Sequence, residues 1–355
     1  MRHRHIPAHL CAASTLALLL LSACGGGGSN TPSATATAAA VNPNAYPNVL
    51  PVAGDYFVYT SVNTPTQPAG QAPIQRTVTR DIRSVGVDRS FVRLDTASAY
   101  SLATTQSFDA SRALTSSSTS TQRCDFTPGY RSTPALTSVV GDTYTTTSTE
   151  SCVNQSTSAL TTYALTDNGT VAAAEPHTLP IGTFNTIKYT QTLVSVQPSG
   201  TTTTLETCWI DTVTGRAVEC ASTYSTTPTG QSAPTSAGST SFQLAAYAVN
   251  GGAAVGPTER RFAGTWSVTF SGSSGGACAA LLVDTSGRIS GTCQFVASTG
   301  TATPFTVSGS VNAAGIASVS TSTGAALTGT FDSPSTATGS WSNGTATGTW
   351  SAAHQ

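Results

Sequence analysis

The sequence predicts an all-β protein made of two antiparallel β domains, the C-terminal one a small eight-stranded meander or barrel. Three observations carry this expectation. Thr, Val, Tyr and Phe alternate over short runs, and apolar stripes of helical period are absent. Gly, Pro, Asn and Ser break these runs at intervals suited to turns. The body also carries six cysteines, 124, 152, 208, 220, 278 and 293, several of them spaced as facing residues of hairpins. A length of 355 residues fits two domains better than one. We divide the chain into a signal peptide (1–23), a flexible tether (24–46), a β-sheet domain (47–250), a linker (251–257) and a small β-barrel domain (258–355).

Taken in order, Arg2 and Arg4 precede an apolar stretch from Leu10 to Ala23. That stretch is shorter than the ~20 residues needed to span a bilayer. It ends in Leu21-Ser22-Ala23-Cys24, followed at once by Gly25 to Gly28. Small side chains at 22 and 23 let an extended backbone enter a peptidase cleft, and the thiol at 24 can take a diacylglycerol through a thioether. The motif resembles the lipobox of bacterial lipoproteins. That resemblance implies that Cys24 becomes the first mature residue and carries acyl chains that hold the protein on a membrane. Cys11 does not fit the motif, because bulky Leu10 stands where a small residue is required. Gly25 resembles the residue that follows the lipidated cysteine in lipoproteins sent to the outer membrane.

Residues 25–46 are Gly, Ser, Thr, Ala, Asn and Pro, the composition of a tether. Strands are expected at Asp55–Tyr59, Arg76–Ser84 and Ser90–Leu94. Asn168-Gly169 signals a two-residue hairpin turn between strands at 163–166 and 170–174. A three-strand meander follows over 183–196, 201–212 and 216–224, and Phe242–Val249 closes the domain. Gly182 to Lys188, with Trp209, Asp211 and Thr214-Gly215, resembles β-sheet proteins exported by bacteria, a likeness that names no activity. The last hundred residues repeat a small unit: Gly-Thr-Trp266, Gly-Thr-Cys293, Gly-Ser-Val311, Gly-Thr-Phe331, Gly-Ser-Trp341 and Gly-Thr-Trp350. Glycine inside a strand permits bending and leaves room for a neighbour's ring. The Gly-Thr-Trp opening and the Thr-Gly-Thr strands resemble avidin-type eight-stranded barrels. Where that family grips its ligand with Asn, Tyr and Ser, this chain has Ser267 and Cys293, so biotin binding is not implied.

An even number of cysteines in an exported body points to disulfides. A three-residue loop Val213-Thr214-Gly215, with Gly215 left-handed, sets Thr212 against Arg216 and Cys208 against Cys220. A four-residue turn at 284–287 sets Val283 against Arg288 and Cys278 against Cys293. Cys124 with Cys152 follows by elimination. Zinc is the competing use of these cysteines, but no C-x-x-C occurs and histidines are missing.

Candidate chemistry is sparse. Removing residues 1–23 leaves 13 basic against 16 acidic side chains, and Lys188 is the sole lysine, so no nucleic-acid face is expected. No Walker loop, dinucleotide fingerprint or calcium loop suggests a cofactor. His177 reads as a solvated residue in a loop before a strand, without the elbow motif of a serine hydrolase. Trp209 opposite Glu219 puts Asp211 on the same face, roughly 7 Å from Glu219, a spacing used in glycoside hydrolysis. The plainer reading is a turn aspartate and a solvent-facing glutamate. Arg76, Arg80, Arg83, Arg89 and Arg93, interleaved with Asp81, Asp88 and Asp95, read as a solvated strand pair, with a cationic strip for envelope polyanions as the alternative. Trp266, Trp341 and Trp350 read as core, and pairing of first and last barrel strands would make Trp266 and Trp350 neighbours.

These readings point to a lipid-anchored envelope protein with a non-enzymatic binding or structural role, its ligand or protein partner open. The alternatives are a carbohydrate-active hydrolase using Asp211 and Glu219, and a carrier of lipid or small molecules. An apolar pocket of several hundred Å³ would favour the carrier, and a cleft holding both carboxylates the hydrolase.

Overall fold

The computed structural model describes residues 42–98, 103–296 and 302–355, so Cys24 and the rest of the lipobox lie outside the described residues. Twenty strands are found among them. The first twelve are β1 (Tyr56–Gln67), β2 (Ile74–Val85), β3 (Phe91–Ala97), β4 (Thr104–Phe108), β5 (Leu114–Ser118), β6 (Gln122–Tyr130), β7 (Thr143–Asn154), β8 (Leu160–Leu179), β9 (Gly182–Gln197), β10 (Gly200–Asp211), β11 (Ala217–Pro228) and β12 (Ser236–Ala248). A single 3-10 turn, Thr258–Phe262, leads into β13 (Gly264–Gly272), β14 (Gly275–Val283), β15 (Arg288–Val296) and β16 (Ala302–Val311). The chain ends with β17 (Ile316–Thr321), β18 (Ala326–Phe331), β19 (Thr336–Asn343) and β20 (Ala346–His354). Each strand pairs antiparallel with its sequence neighbour. β1 also pairs with β12, and β13 with β20, giving one closed barrel of twelve strands and one of eight. An up-and-down meander closes antiparallel only with an even strand number, and closure removes exposed edges.

Strands β4, β5 and β7 escape the sequence reading because they are Thr- and Ser-rich, as in Leu-Thr-Ser-Ser-Ser of β5, and β6 because it contains Pro128-Gly129. The turn expected at Asn168-Gly169 is absent. Both residues lie inside the long β8, where Gly169 faces Tyr144 of β7 and Gln191 of β9. The glycine serves close packing: a methyl there would stand 2.2 Å from Cζ of Tyr144. Tyr46, which composition assigns to the tether, is buried against Tyr189 and Ile187, and its N–H donates to the Ser138 carbonyl.

All three cysteine pairs, 124–152, 208–220 and 278–293, are joined as disulfides between directly facing strands. Yet two of the turns that lead to them differ from expectation. Asp211, not Thr212, donates its N–H to Arg216, and Ile210 faces Ala217. A bulge between Trp209 and Ile210 then restores the register, with Trp209 facing Glu219 and Cys208 facing Cys220. In the other hairpin Val283 faces Ile289 rather than Arg288, and a register shift before Leu281 again brings the cysteines together.

The eight-stranded barrel is packed through its middle and hollow at one end. Phe262, Trp266, Val283, Ile289, Val311, Phe331 and Trp350 form one buried cluster. Trp350 lies against Gly329 and Gly339, where a methyl would stand 2.5 and 2.6 Å from its ring. Across the seam Trp350 faces Phe270 and Trp266 faces His354, so the two tryptophans share a core without facing one another.

Gly169→Ala should cost about 1–3 kcal/mol in denaturant unfolding, as overpacking does. Most of that loss should vanish in a Tyr144→Ala background. Simple additivity of the two losses would show that the ring does not impose the glycine.

Candidate functional site

The twelve-stranded barrel is too wide for its own side chains to fill. Its apolar residues form separate buried groups, one around Tyr46, Ile187, Tyr189 and Cys208 and another around Phe57, Tyr59, Val218 and Leu244. Between them lies a cavity of about 260 Å³, lined by residues of β1 to β6 and β9 to β11. Four guanidinium groups border it: Arg80 of β2, Arg93 of β3, Arg112 before β5 and Arg216 before β11.

Alternation along β2 and β3 puts Arg80 and Arg93 inside, Arg112 and Arg216 enter from turns, and aromatic faces receive Arg80, Arg93 and Arg216. Arg80 lies 4.5 Å from the Phe242 ring centroid, and Arg93 4.9 Å from that of Phe108. Arg216 sits 5.7 Å from the Phe57 ring and 5.5 Å from that of Phe91. Asp95 answers two of the cations, with Arg93 Nε at 2.7 Å and Arg80 Nε at 3.5 Å. The alternating Arg and Asp of β2 and β3 are thus divided between lumen and surface. Arg83 and Arg89 are exposed, whereas the solvated strand pair expected from sequence would expose all five arginines. Burial, and then the neighbouring Arg112 and Arg93, lower the Arg216 pKa to about 10, which leaves it a cation at neutral pH.

Glu206 of β10 lines this cavity and also a wider one of about 920 Å³ bordered by Thr and Ser of β7 to β12 and β1. Tyr144 donates to Gln191 Oε1 at 2.8 Å, and Gln191 Nε2 donates to Glu206 at 2.6 Å. Burial raises the Glu206 pKa against the effect of that hydrogen bond and of Arg80. Asp167 of β8 is fully buried, accepts from the Tyr130 hydroxyl at 3.4 Å, and leaves its Oδ1 without a donor. Burial, then the charge of Glu206, push its pKa up to about 7.

A second polar cluster joins β8 to β12. His177 is not in a loop: it pairs with Phe184 inside β8 and stacks on Trp209 at 4.6 Å. One ring nitrogen lies 2.6 Å from Glu219 Oε2, and Gln243 donates to the other carboxylate oxygen at 3.0 Å. Trp209 donates to Glu175 at 2.7 Å and holds that carboxyl below its usual range, and Lys188 adds to the effect. Proline at 176 hid this strand from the sequence reading, because it disfavours a central strand. Asp211 does not join the cluster. It is buried and accepts from the Thr214 N–H at 2.8 Å, so its carboxylate belongs to the turn.

In the eight-stranded barrel the packed interior leaves about 20 Å³. An apolar hollow of about 280 Å³ opens beside Phe270, Phe305, Leu327 and Trp341. Ser267 contacts the Ala353 carbonyl at 3.5 Å, and Cys293 is in its disulfide. Among the described residues, the groups with metal-ligand spacing are Cys124, Glu150 and Cys152, and Glu206, Cys208 and Cys220. Their sulfurs are tied up in disulfides and supply no thiolate ligand.

No protein-family model matches the chain, and no curated protein sequence matches it. Similar solved structures include the hypothetical lipoprotein YmcC from Escherichia coli. It is 10% identical over 52% of this chain and 86% of that one, with a TM-score of 0.30. The vaccine antigen transferrin-binding protein B from Haemophilus parasuis is 10% identical over 86% of this chain and 76% of that one, with a TM-score of 0.19. Intact Ap-TbpB, with its N and C lobes, is 10% identical over 88% and 79%, again at 0.19. At such TM-scores we draw nothing from these likenesses.

Asp167 yields a pH prediction. Its folded pKa lies above its unfolded one, so its stabilising protonation is fully present below about pH 4 and is lost as pH rises through about 7. Asp167→Asn removes the buried charge. The gain in Tm over the unmodified protein should be near zero at about pH 4 and grow up to about pH 8. A gain independent of pH would show that this carboxyl does not titrate as described.

Proposed function

We propose that this protein is a lipoprotein of the bacterial outer membrane, anchored through acylated Cys24, that holds a small ligand inside its twelve-stranded barrel. The observation that carries the binding role is the walled cavity of about 260 Å³, where fixed polar groups converge among aromatic faces. The anchor rests on Leu21-Ser22-Ala23-Cys24 and the short apolar stretch before it. The role is non-enzymatic: Glu219 is engaged by His177 and Gln243, while Asp211 is engaged by its turn, so the proposed hydrolase pair has no shared cleft to support it.

Two measurements test this. Cys24→Ala should leave an unprocessed precursor or release soluble protein, whereas mature, detergent-extracted Cys24→Ala protein would contradict the anchor. Native mass spectrometry of protein extracted from envelopes should show an added small-molecule mass that is lost on unfolding. A spectrum with the ligand-free mass alone would contradict luminal binding.

A further inference from the structure

The charge inside the barrel does not balance. Arg80, Arg93, Arg112 and Arg216 border the cavity, and Asp95 already serves Arg80 and Arg93. Glu206, which receives the Gln191 amide, is the one other carboxylate bordering the cavity among the described residues, so four cations meet two acids. Arg112 donates to the Val49 carbonyl, a neutral acceptor. Arg216 has aromatic faces on two sides, and its Nη2 is closed to solvent with no acceptor. Asp55 contributes charge to Arg216, but its carboxylate oxygens accept from the Val52 and Asn250 N–H groups. A cation held largely out of water with no carboxylate bonded to it is destabilising, so a barrel that keeps one gains from an anion that arrives later. The guanidinium fork matches the two oxygens of a carboxylate or phosphate.

We propose that this cavity is the binding site of a small aromatic oxyanion, its head group on Arg216 and Arg112 and its ring between the aromatic walls. The inference deepens the luminal-binding reading and rests on it. The cavity volume of about 260 Å³ limits the occupant, since drug-sized ligands fill roughly 300–1,000 Å³. Phe57, Phe91, Tyr130 and Tyr189 line the cavity, and a wall so rich in rings suits an aromatic body better than a bare inorganic ion.

Calorimetric titration of the full-length, detergent-solubilised protein with benzoate, phenyl phosphate and neutral benzamide provides the test. At least one of the two anions should bind tenfold or more tightly than benzamide, and whichever binds tighter identifies the head group as carboxylate or phosphate. Arg216→Gln should weaken that anion at least tenfold while raising the Tm of the ligand-free protein, because it removes an unpaired buried charge. Exposed Arg83→Gln, on the same strand as Arg80, should leave the affinity unchanged. Benzamide binding as tightly as both anions, or full affinity in Arg216→Gln, would overturn the anion site while leaving luminal binding standing. No binding by any of the three probes would overturn the anion site as well, and the native mass measurement would still decide luminal binding. The comparison of anions with benzamide in the unmodified protein does not depend on any variant folding.

Discussion

Closure of the antiparallel meander is the constraint on which the rest of the structure depends. With charged residues only 9% of the chain and one lysine, the strands lack the charges that natural sheets use to blunt exposed edges. Hydrogen bonding of β1 to β12 and of β13 to β20 removes those edges altogether. The Ser- and Thr-rich walls then need no further protection, because every strand has two neighbours.

Closure also decides where a site can form, since barrel width grows with strand number. Eight strands give a middle that Trp266, Phe331, Trp350 and their neighbours fill to within about 20 Å³, with a hollow of about 280 Å³ left at one end. Twelve strands give a lumen that the available side chains cannot fill. Arginines and acids project into it beside Tyr and Phe, and the space that remains is lined by aromatic rings and guanidinium groups together. The same meander therefore yields an apolar hollow at one end of the small barrel and an arginine-bordered cavity in the large one. The inward cations cost stability, and the proposed luminal binding rests on that cost being offset by a ligand.

Much of the local order was legible. Strand type followed from β-branched and aromatic alternation, and the facing of Cys208 with Cys220 and of Cys278 with Cys293 followed from turn chemistry. Both hairpins reached that facing by a route the residues did not show. Each turn slips by one position, and an irregularity in the strand takes the slip back. Disulfides demand facing partners, so the cysteines report the final register even where the turn reading errs. Asn168-Gly169 misled for the opposite reason: a glycine required by the ring of Tyr144 looks, in one dimension, like a glycine required by a turn.

What the sequence determined by itself was local and periodic: an all-β chain, an eight-strand C-terminal meander and the cysteine partners. What only the tertiary structure decided was which faces meet. Arg112 and Arg216 come from segments apart from the strand pair that carries Arg80 and Arg93, and nothing in their spacing places all four around one cavity. His177 and Glu219 meet only because β8, β9, β10 and β11 lie side by side. The physical reason is that strand alternation assigns a side chain to one of two faces, while barrel closure decides which of those faces is inside and which residues share it.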